Sequence, residues 1–256
     1  MKTIAIIPAR YASTRFPGKP LARLDGREII LRVVERVQDA GFDCAVATDD
    51  VRIFDVVTRA GYKAVMTSEN HRSGTDRIRE ALDLIEDESG EAYDVVINVQ
   101  GDEPFVDTAQ LRLLEGCFAD ASTDIATLVR PFDACGDVAE LENPNLVKVV
   151  RDDAGRALYF SRSVVPYLRG VDRSEWPSRH QYYSHIGIYG YRADVLRKIT
   201  ELSAGALEQA ESLEQLRWLA AGYTVMTSES RSCNIGIDTP ADLAAAEEYL
   251  RSHPEK

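Results

Sequence analysis

The chain has 256 residues with 42 acidic and 30 basic side chains, a formal net charge of -12, and a pI near 4.9. Its length suffices for a full core as a single α/β domain, with or without an elaboration, and its acidity excludes a nonspecific binder of polymeric nucleic acid, whose footprint is broadly basic. Cys44, Cys117, Cys135 and Cys233 have no CxxC spacing, which excludes a zinc knuckle or dithiol motif and suits a reducing compartment. In chain order, the apolar run Ile4–Ile7 predicts a first buried strand ended by Pro8. With no signal peptide ahead of that run and no apolar run of membrane-spanning length, a soluble cytoplasmic protein without membrane insertion is expected.

After the turn signal Asp25-Gly26, Ile29, Ile30, Val33, Val34 and Val37 form one helical stripe that Gly41 stops. Residues 42–47 read as a second strand, ending in Thr48-Asp49-Asp50, which can cap the helix carrying Ile53, Val56 and Val57. A short strand over 63–66, a helix over about 76–86 and a strand over 95–99 continue the alternation, which predicts a mostly parallel sheet covered by helices on both faces. Farther along, 125–129 and 147–150 read as strands, the latter forming a hairpin with 157–160 through Asp152-Asp153-Ala154-Gly155. Residues 166–179 read as a surface excursion, 185–191 as a strand followed by a short helix, 208–219 as an amphipathic helix and 223–227 as a strand. Thr239 and Pro240 then suit the N-cap and first position of a last helix.

Residues 8–20, PARYASTRFPGKP, set Arg10, Arg15 and Lys19 among small residues just past the first strand. Such a loop is either an ordinary basic surface turn or a nucleotide site at the carboxyl end of a parallel strand, with free backbone N–H groups for phosphate oxygens. It contains neither GxxxxGK[ST] nor GxGxxG, which excludes a Walker loop and disfavours an NAD-dependent oxidoreductase. Ser73, Gly74 and Thr75 can face a base or ribose, and Arg72 and Arg77 can meet negative charge or carbonyl oxygen; the segment reads equally as a helix cap with solvent-facing arginines. Asp102, past a strand end and a glycine, is a turn former or one of the hard carboxylates that a magnesium ion on a triphosphate requires. Asp238 is likewise a cap residue or a second such carboxylate.

Seven segments in order, PARYASTRFPGKP, HRSGTDR (71–77), NVQGDEP (98–104), ALYFSR (157–162), HIGIY (185–189), LEQLR (213–217) and GIDTP (236–240), together resemble the 3-deoxy-manno-octulosonate (Kdo) cytidylyltransferase family. The resemblance implies the nucleotide-diphospho-sugar transferase fold, as a single domain over 1–256. Its nucleotide-binding half would cover about 1–120, and a mixed-strand half for the sugar acid and dimerisation about 121–256, with a C-terminal metal-site segment. It implies magnesium-dependent transfer of CMP from CTP to the C2 hydroxyl of Kdo, giving CMP-Kdo and pyrophosphate, by a homodimer, within lipopolysaccharide biosynthesis. CTP would be held by Ala9, Arg10, Ser13, Thr14, Arg15, Lys19, Arg72, Ser73, Gly74, Thr75, Arg77 and Gln100. Lys19, Arg10 and Arg15 would act on the reacting phosphates, and Asp102 and Asp238 would hold Mg2+. Gln100, Arg162, His185, Tyr189, Glu214 and Gln215 would meet the acid, although His185 also reads as a core imidazole and Glu214 as a solvent-facing helix residue. Ser184 stands where the family often has arginine, and residues 203–206 lack its usual proline, so transfer to a modified octulosonate or another small acid stays open. A catalytically silent cytidine-nucleotide binder also stays open.

Overall fold

The computed structural model describes residues 1–12, 15–232 and 236–252, so Ser13, Thr14 and Cys233 lie outside the described residues. The chain clusters into two compact units, Met1–Arg112 with Cys233–Lys256, and Leu113–Ser232. In the first, the apolar run becomes β1 (Thr3–Ala9), with Ile6 and Ile7 fully buried. Next, β2 (Arg23–Leu24) and β3 (Arg27–Glu28) form a ribbon turned by Asp25 and Gly26, both at positive φ, as a two-residue hairpin requires. The expected stripe buries along α1 (Ile29–Asp39). β4 (Asp43–Thr48), α2 (Val51–Arg59), β5 (Ala64–Met66), α3 (Gly74–Ser89), β6 (Val95–Asn98) and α4 (Thr108–Gly116) follow.

The strand order β6-β1-β4-β5 is parallel throughout, with β1 between β4 and β6. The chain therefore reverses its direction of winding beside β1, and the carboxyl ends of β1 and β6 border the crevice where open α/β sheets bind ligands. Pro8 does not end β1, which continues to Ala9. Ile6 O accepts from the Val99 N–H at 3.2 Å, so alternate amides of β1 point toward β6. The β6 ladder ends opposite Ile6, and the N–H that Pro8 lacks falls beyond it.

Arg77 also departs from expectation. Its side chain is 1% exposed, donating to Thr67 Oγ1 and Asp49 Oδ2, both at 2.6 Å. The guanidinium ties α3 to the ends of β4 and β5 instead of facing solvent, and Arg77 does not line the cleft that follows β1.

In the second unit, β7 (Ile125–Pro131) is followed by α5 (Val138–Glu142) and by the antiparallel hairpin β8 (Lys148–Arg151) and β9 (Ala157–Ser161). The expected excursion is instead partly a core: Trp176, at the start of α6 (Trp176–Arg179), is 2% exposed and gathers with Leu141 and Tyr182. Its indole N–H donates to Val171 O at 3.1 Å, so burial leaves no polar atom stranded. β10 (Tyr183–Arg192) runs antiparallel to β7 and leads into α7 (Ala193–Ile199). The single helix expected over 208–219 is two, α8 (Ala206–Glu211) and α9 (Gln215–Ala220), parted by Ser212 at φ +53°. The leucine spacing carries no mark of that break because the buried Leu213 and Leu216 both lie beyond Ser212. β11 (Val225–Glu229) completes this sheet, parallel to β7.

The register of β10 shifts between Ile186 and Tyr189. Thr127 compensates, its hydroxyl lying 2.8 Å from Ile188 O, 3.2 Å from Ile186 O and 3.0 Å from His185 Nε2. In a regular strand, residues four apart stand roughly 13 Å from each other. Here the rings of His185 and Tyr189 are 5.2 Å apart, so the bulge puts both on one spot.

The chain then returns to the first unit. Ile237 is fully buried with Leu24, Ile29 and Ala246, the last on α10 (Pro240–Ser252). Thr239 and Asp242 cap α10 reciprocally: Asp242 Oδ2 accepts from the Thr239 N–H at 2.8 Å, and Thr239 Oγ1 from the Asp242 N–H at 3.2 Å. No helix among the described residues is long and apolar enough to cross a membrane.

Removing the partner of a buried charge is expected to destabilise strongly, so Asp49→Ala should cost about 3 kcal/mol. An unmoved urea midpoint would show that the Arg77 pairing contributes nothing. Burial also pushes the His185 imidazole down to about 4 from its ordinary value of 6.5. Between those values the unfolded chain takes up the proton and the folded chain does not, so stability falls as pH drops from 6.5 towards 4. In urea titrations at successive pH values, His185→Gln should remove on the order of 2–3 kcal/mol of that fall.

Candidate active site

The crevice at the end of β1 is a cleft of about 480 Å³, lined by Pro8, Ala9, Arg10, Ala12, Arg15, Lys19 and Pro20 on one side and by Gln100, Gly101, Asp102 and Asp238 on the other. Each wall follows from local sequence. Gly18, at φ +71°, turns the loop into a single 3-10 turn that begins at Lys19. After β6, the Glu103 N–H bonds to Gln100 O at 3.2 Å, and Gly101 lies so close to β1 that a Cβ would sit 2.9 Å from Pro8 O. Only glycine fits there, and this tight turn swings Asp102 over the cleft.

Asp238 arrives by a separate route. The Ile237 N–H bonds to Asp102 O at 2.9 Å, and the α10 cap fixes the next residue because Asp242 Oδ2 also accepts from the Asp238 N–H at 3.0 Å. The two carboxylates thus meet. Lys19 Nζ lies 2.5 Å from Asp102 Oδ2 and 3.1 Å from Asp238 Oδ1, and Arg15 Nη2 is 3.2 Å from Asp238 Oδ2. Lys19 is 12% exposed, so its charge acts with little screening by water.

Three cations face two carboxylates in this cleft, inside an acidic protein. A polyanion is attracted by Arg10, Arg15 and Lys19 but repelled by Asp102 and Asp238 unless a further cation joins them. Two hard carboxylates converging on one point suit magnesium, which keeps waters and substrate phosphates for its other positions. Among the described residues no larger group of His, Cys, Asp and Glu is built for a metal.

Ser73, Gly74 and Thr75 stand at the start of α3, with Gly74 packed beside Pro8 of the cleft wall, 3.4 Å from its ring as measured from a built Cβ. Ser73 Oγ accepts from the Asp76 N–H at 3.1 Å and Thr75 is buried, while Arg72 is exposed. The positive end of a 16-residue helix therefore adjoins the basic loop.

The second unit holds the residues expected at the sugar acid other than Gln100, which lines the cleft of the first. His185 and Tyr189 join Tyr191 and Trp218 in one aromatic cluster, with the Tyr189 and Trp218 rings edge to face at 5.2 Å. Tyr189 Oη, Gln215 Nε2 and Trp218 Nε1 are buried with no hydrogen-bond partner among the described residues, a concentration of unmet polar atoms that a hydroxyl-rich ligand would satisfy. Trp218 was not singled out from sequence; its spacing three residues after Gln215, on the same helical face, is the signal that could have found it. Burial keeps His185 neutral at pH 7 and raises the Tyr189 hydroxyl well above its ordinary value, so it remains a donor. Glu214 faces Arg217, which donates to it at 2.8 Å. Arg162 is not presented as a free carboxylate clamp: its guanidinium donates to the carbonyls of Glu211 at 2.7 Å and Pro144 at 3.0 Å, holding the end of α8.

A family model described as cytidylyltransferase matches residues 4–229. The 3-deoxy-manno-octulosonate cytidylyltransferase of Parabacteroides distasonis is 53% identical, the match covering 98% of each chain. That of Phocaeicola vulgatus is 54% identical over the same share of both chains. Among solved structures, a CMP:2-keto-3-deoxy-manno-octonic acid synthetase complexed with CTP aligns at a TM-score of 0.88 and 40% identity, covering 98% of this chain and 99% of that one. With a family model over most of its length, relatives more than half identical from end to end and a matching fold, the chain belongs to the 3-deoxy-manno-octulosonate cytidylyltransferase family.

Proposed function

We propose that the cleft at the end of β1 binds the triphosphate of CTP and that the protein transfers its CMP moiety to the C2 hydroxyl of Kdo, giving CMP-Kdo and pyrophosphate. The observation that carries this reading is Lys19, nearly buried and within 3.1 Å of both Asp102 and Asp238, with Arg10 and Arg15 on the same loop. In the transfer, the C2 oxygen bonds to the α-phosphorus as the bond to the bridging oxygen of the β-phosphate breaks; the electron pair leaves with pyrophosphate and the hydroxyl proton is released to water. Arg10 and Arg15 would neutralise the β- and γ-phosphates. Lys19 would meet the charge that grows at the reacting phosphoryl group, so positioning and electrostatics do most of the work. A magnesium ion held by Asp102 and Asp238 would neutralise the triphosphate and lower the pKa of the attacking hydroxyl.

Ser73, Gly74 and Thr75 are assigned to the cytosine and ribose, with Gln100 between nucleotide and acid. His185, Tyr189, Gln215 and Trp218 are assigned to the acid, supported by the unpaired donors of that cluster. A homodimer belongs to the same reading. So does a cytoplasmic location, with which the free thiols of Cys44, Cys117 and Cys135 agree.

A matrix of nucleoside triphosphates against 2-keto sugar acids, with pyrophosphate and nucleotide-sugar both measured, tests the assignment. CTP with Kdo should dominate, and efficient turnover with a purine triphosphate but none with CTP would sink it. Lys19→Ala should lower kcat by roughly 10²-fold or more, the scale of losing one strong electrostatic contact; an undiminished kcat in the folded variant removes Lys19 from the role. Chelation of divalent ions should abolish turnover. Asp102→Asn and Asp238→Asn should each weaken the magnesium response with little change in thermal stability, because asparagine is a poorer ligand for a hard cation yet an acceptable residue beside a helix cap. Retention of the parent magnesium titration by both variants rules out the paired-carboxylate site.

A further inference from the structure

The cations of the phosphate-binding loop act at fixed positions only if the loop itself is held, and the cleft lining contains no residue from α2 that does so. Tyr11 is the internal tie of the loop. Its carbonyl accepts from the Gly18 N–H at 3.0 Å, and its side chain lies so close to Gly18 that a Cβ there would meet two ring carbons and the phenolic oxygen, each at 3.1 Å. On Tyr11 rests Arg52, whose guanidinium carbon is 3.3 Å from the ring centroid. Arg52 is in turn clamped by Asp50, its Nε donating to Oδ1 at 2.9 Å and its Nη2 to Oδ2 at 2.6 Å.

This chain of contacts begins in the sheet. Thr48, the last residue of β4, pairs in register with Ala9, the last of β1, and Thr48 Oγ1 accepts from the Asp50 N–H at 3.2 Å. Asp50 then caps α2 through the Arg52 N–H at 2.9 Å while holding the Arg52 side chain. The loop after β1 and the helix after β4 leave the sheet side by side, and the flat stacking of Arg52 on Tyr11 links them. A planar guanidinium can stack on the ring and keep its fork on the carboxylate at once, which a lysine ammonium cannot.

We propose that Arg52 is a positioning residue for nucleotide binding: by stacking on Tyr11 from the capped start of α2, it holds the turn closed between Tyr11 and Gly18 and so sets where Arg10, Arg15 and Lys19 meet the phosphates. The proposal rests on the reading of the cleft as a CTP site, but its structural half is measurable without nucleotide. The Arg52 N–H to Asp50 bond is a backbone bond that Arg52→Ala retains, so the start of α2 stays capped in that variant.

The experiment combines amide exchange of the nucleotide-free protein with steady-state kinetics on the parent, Arg52→Ala, Arg52→Lys, Tyr11→Leu, and the Arg52→Ala/Tyr11→Leu pair. Arg52→Ala should speed exchange of the Gly18 amide about fivefold, leave the α2 amides unchanged, and raise the CTP KM about fivefold with the KM for Kdo unmoved, the scale of an exposed cation–π contact. Arg52→Lys should recover part of both effects. The paired variant should be no worse than Tyr11→Leu alone, because the two residues act in series. Parent-like Gly18 exchange in Arg52→Ala overturns the proposal, and so do additive losses in the paired variant, which would mean that Arg52 meets the nucleotide directly. If the CTP reading itself failed, the parent would show no CTP saturation while Gly18 exchange still responded to Arg52, so the two failures are distinguishable.

Discussion

The first unit depends on the meeting of one ammonium with two carboxylates that lie 83 and 219 positions from it in the chain. Separation in sequence makes each contact entropically costly to form, and three independent backbone devices absorb that cost. Gly18 turns the loop so that Lys19 faces inward, Gly101 lets Asp102 pass over Pro8, and the Ile237 N–H holds the returning chain against Asp102 O. The last is anchored by the burial of Ile237 among Leu24, Ile29 and Ala246. Side chains in a packed core move little, so the carboxylates are presented by rigid neighbours rather than by the loops that carry them.

The second unit solves a different problem. Its candidate residues sit within one strand and the start of one helix, and the local geometry must be compressed rather than bridged. The bulge in β10 does this by adding residues to one side of a ladder, with Thr127 taking up the carbonyls that the irregularity would strand. A hydroxyl is well suited to that position because its one O–H can rotate between acceptors.

Elements governed by local periodicity were legible from the residues alone: the stripe of α1, the hairpin of β8 and β9, and the Thr239 cap with Pro240 at the helix start. Arg77 was not, because its partner Asp49 lies 28 positions away and nothing in the residue type distinguishes a cation at a ligand from a cation inside a core. The break at Ser212 was hidden because apolar spacing records which residues face inward and not whether the backbone between them changes hand. Pro8 misled for a related reason: its missing donor matters only where a neighbouring strand still runs alongside, which is a property of the ladder and not of proline. At the site, the residue types and their order pointed to the cleft, whereas the meeting of Asp102 with Asp238 required the fold.

The last carboxylate of the cleft follows the entire second unit in the chain, although it folds with the first. Proteins are made from the amino terminus, so a growing chain displays its basic loop and its first carboxylate long before residue 238 leaves the ribosome. Until then the cleft lacks half of its acidic pair. The order of the segments along the polypeptide thus withholds the complete pair until the whole second unit has been synthesised.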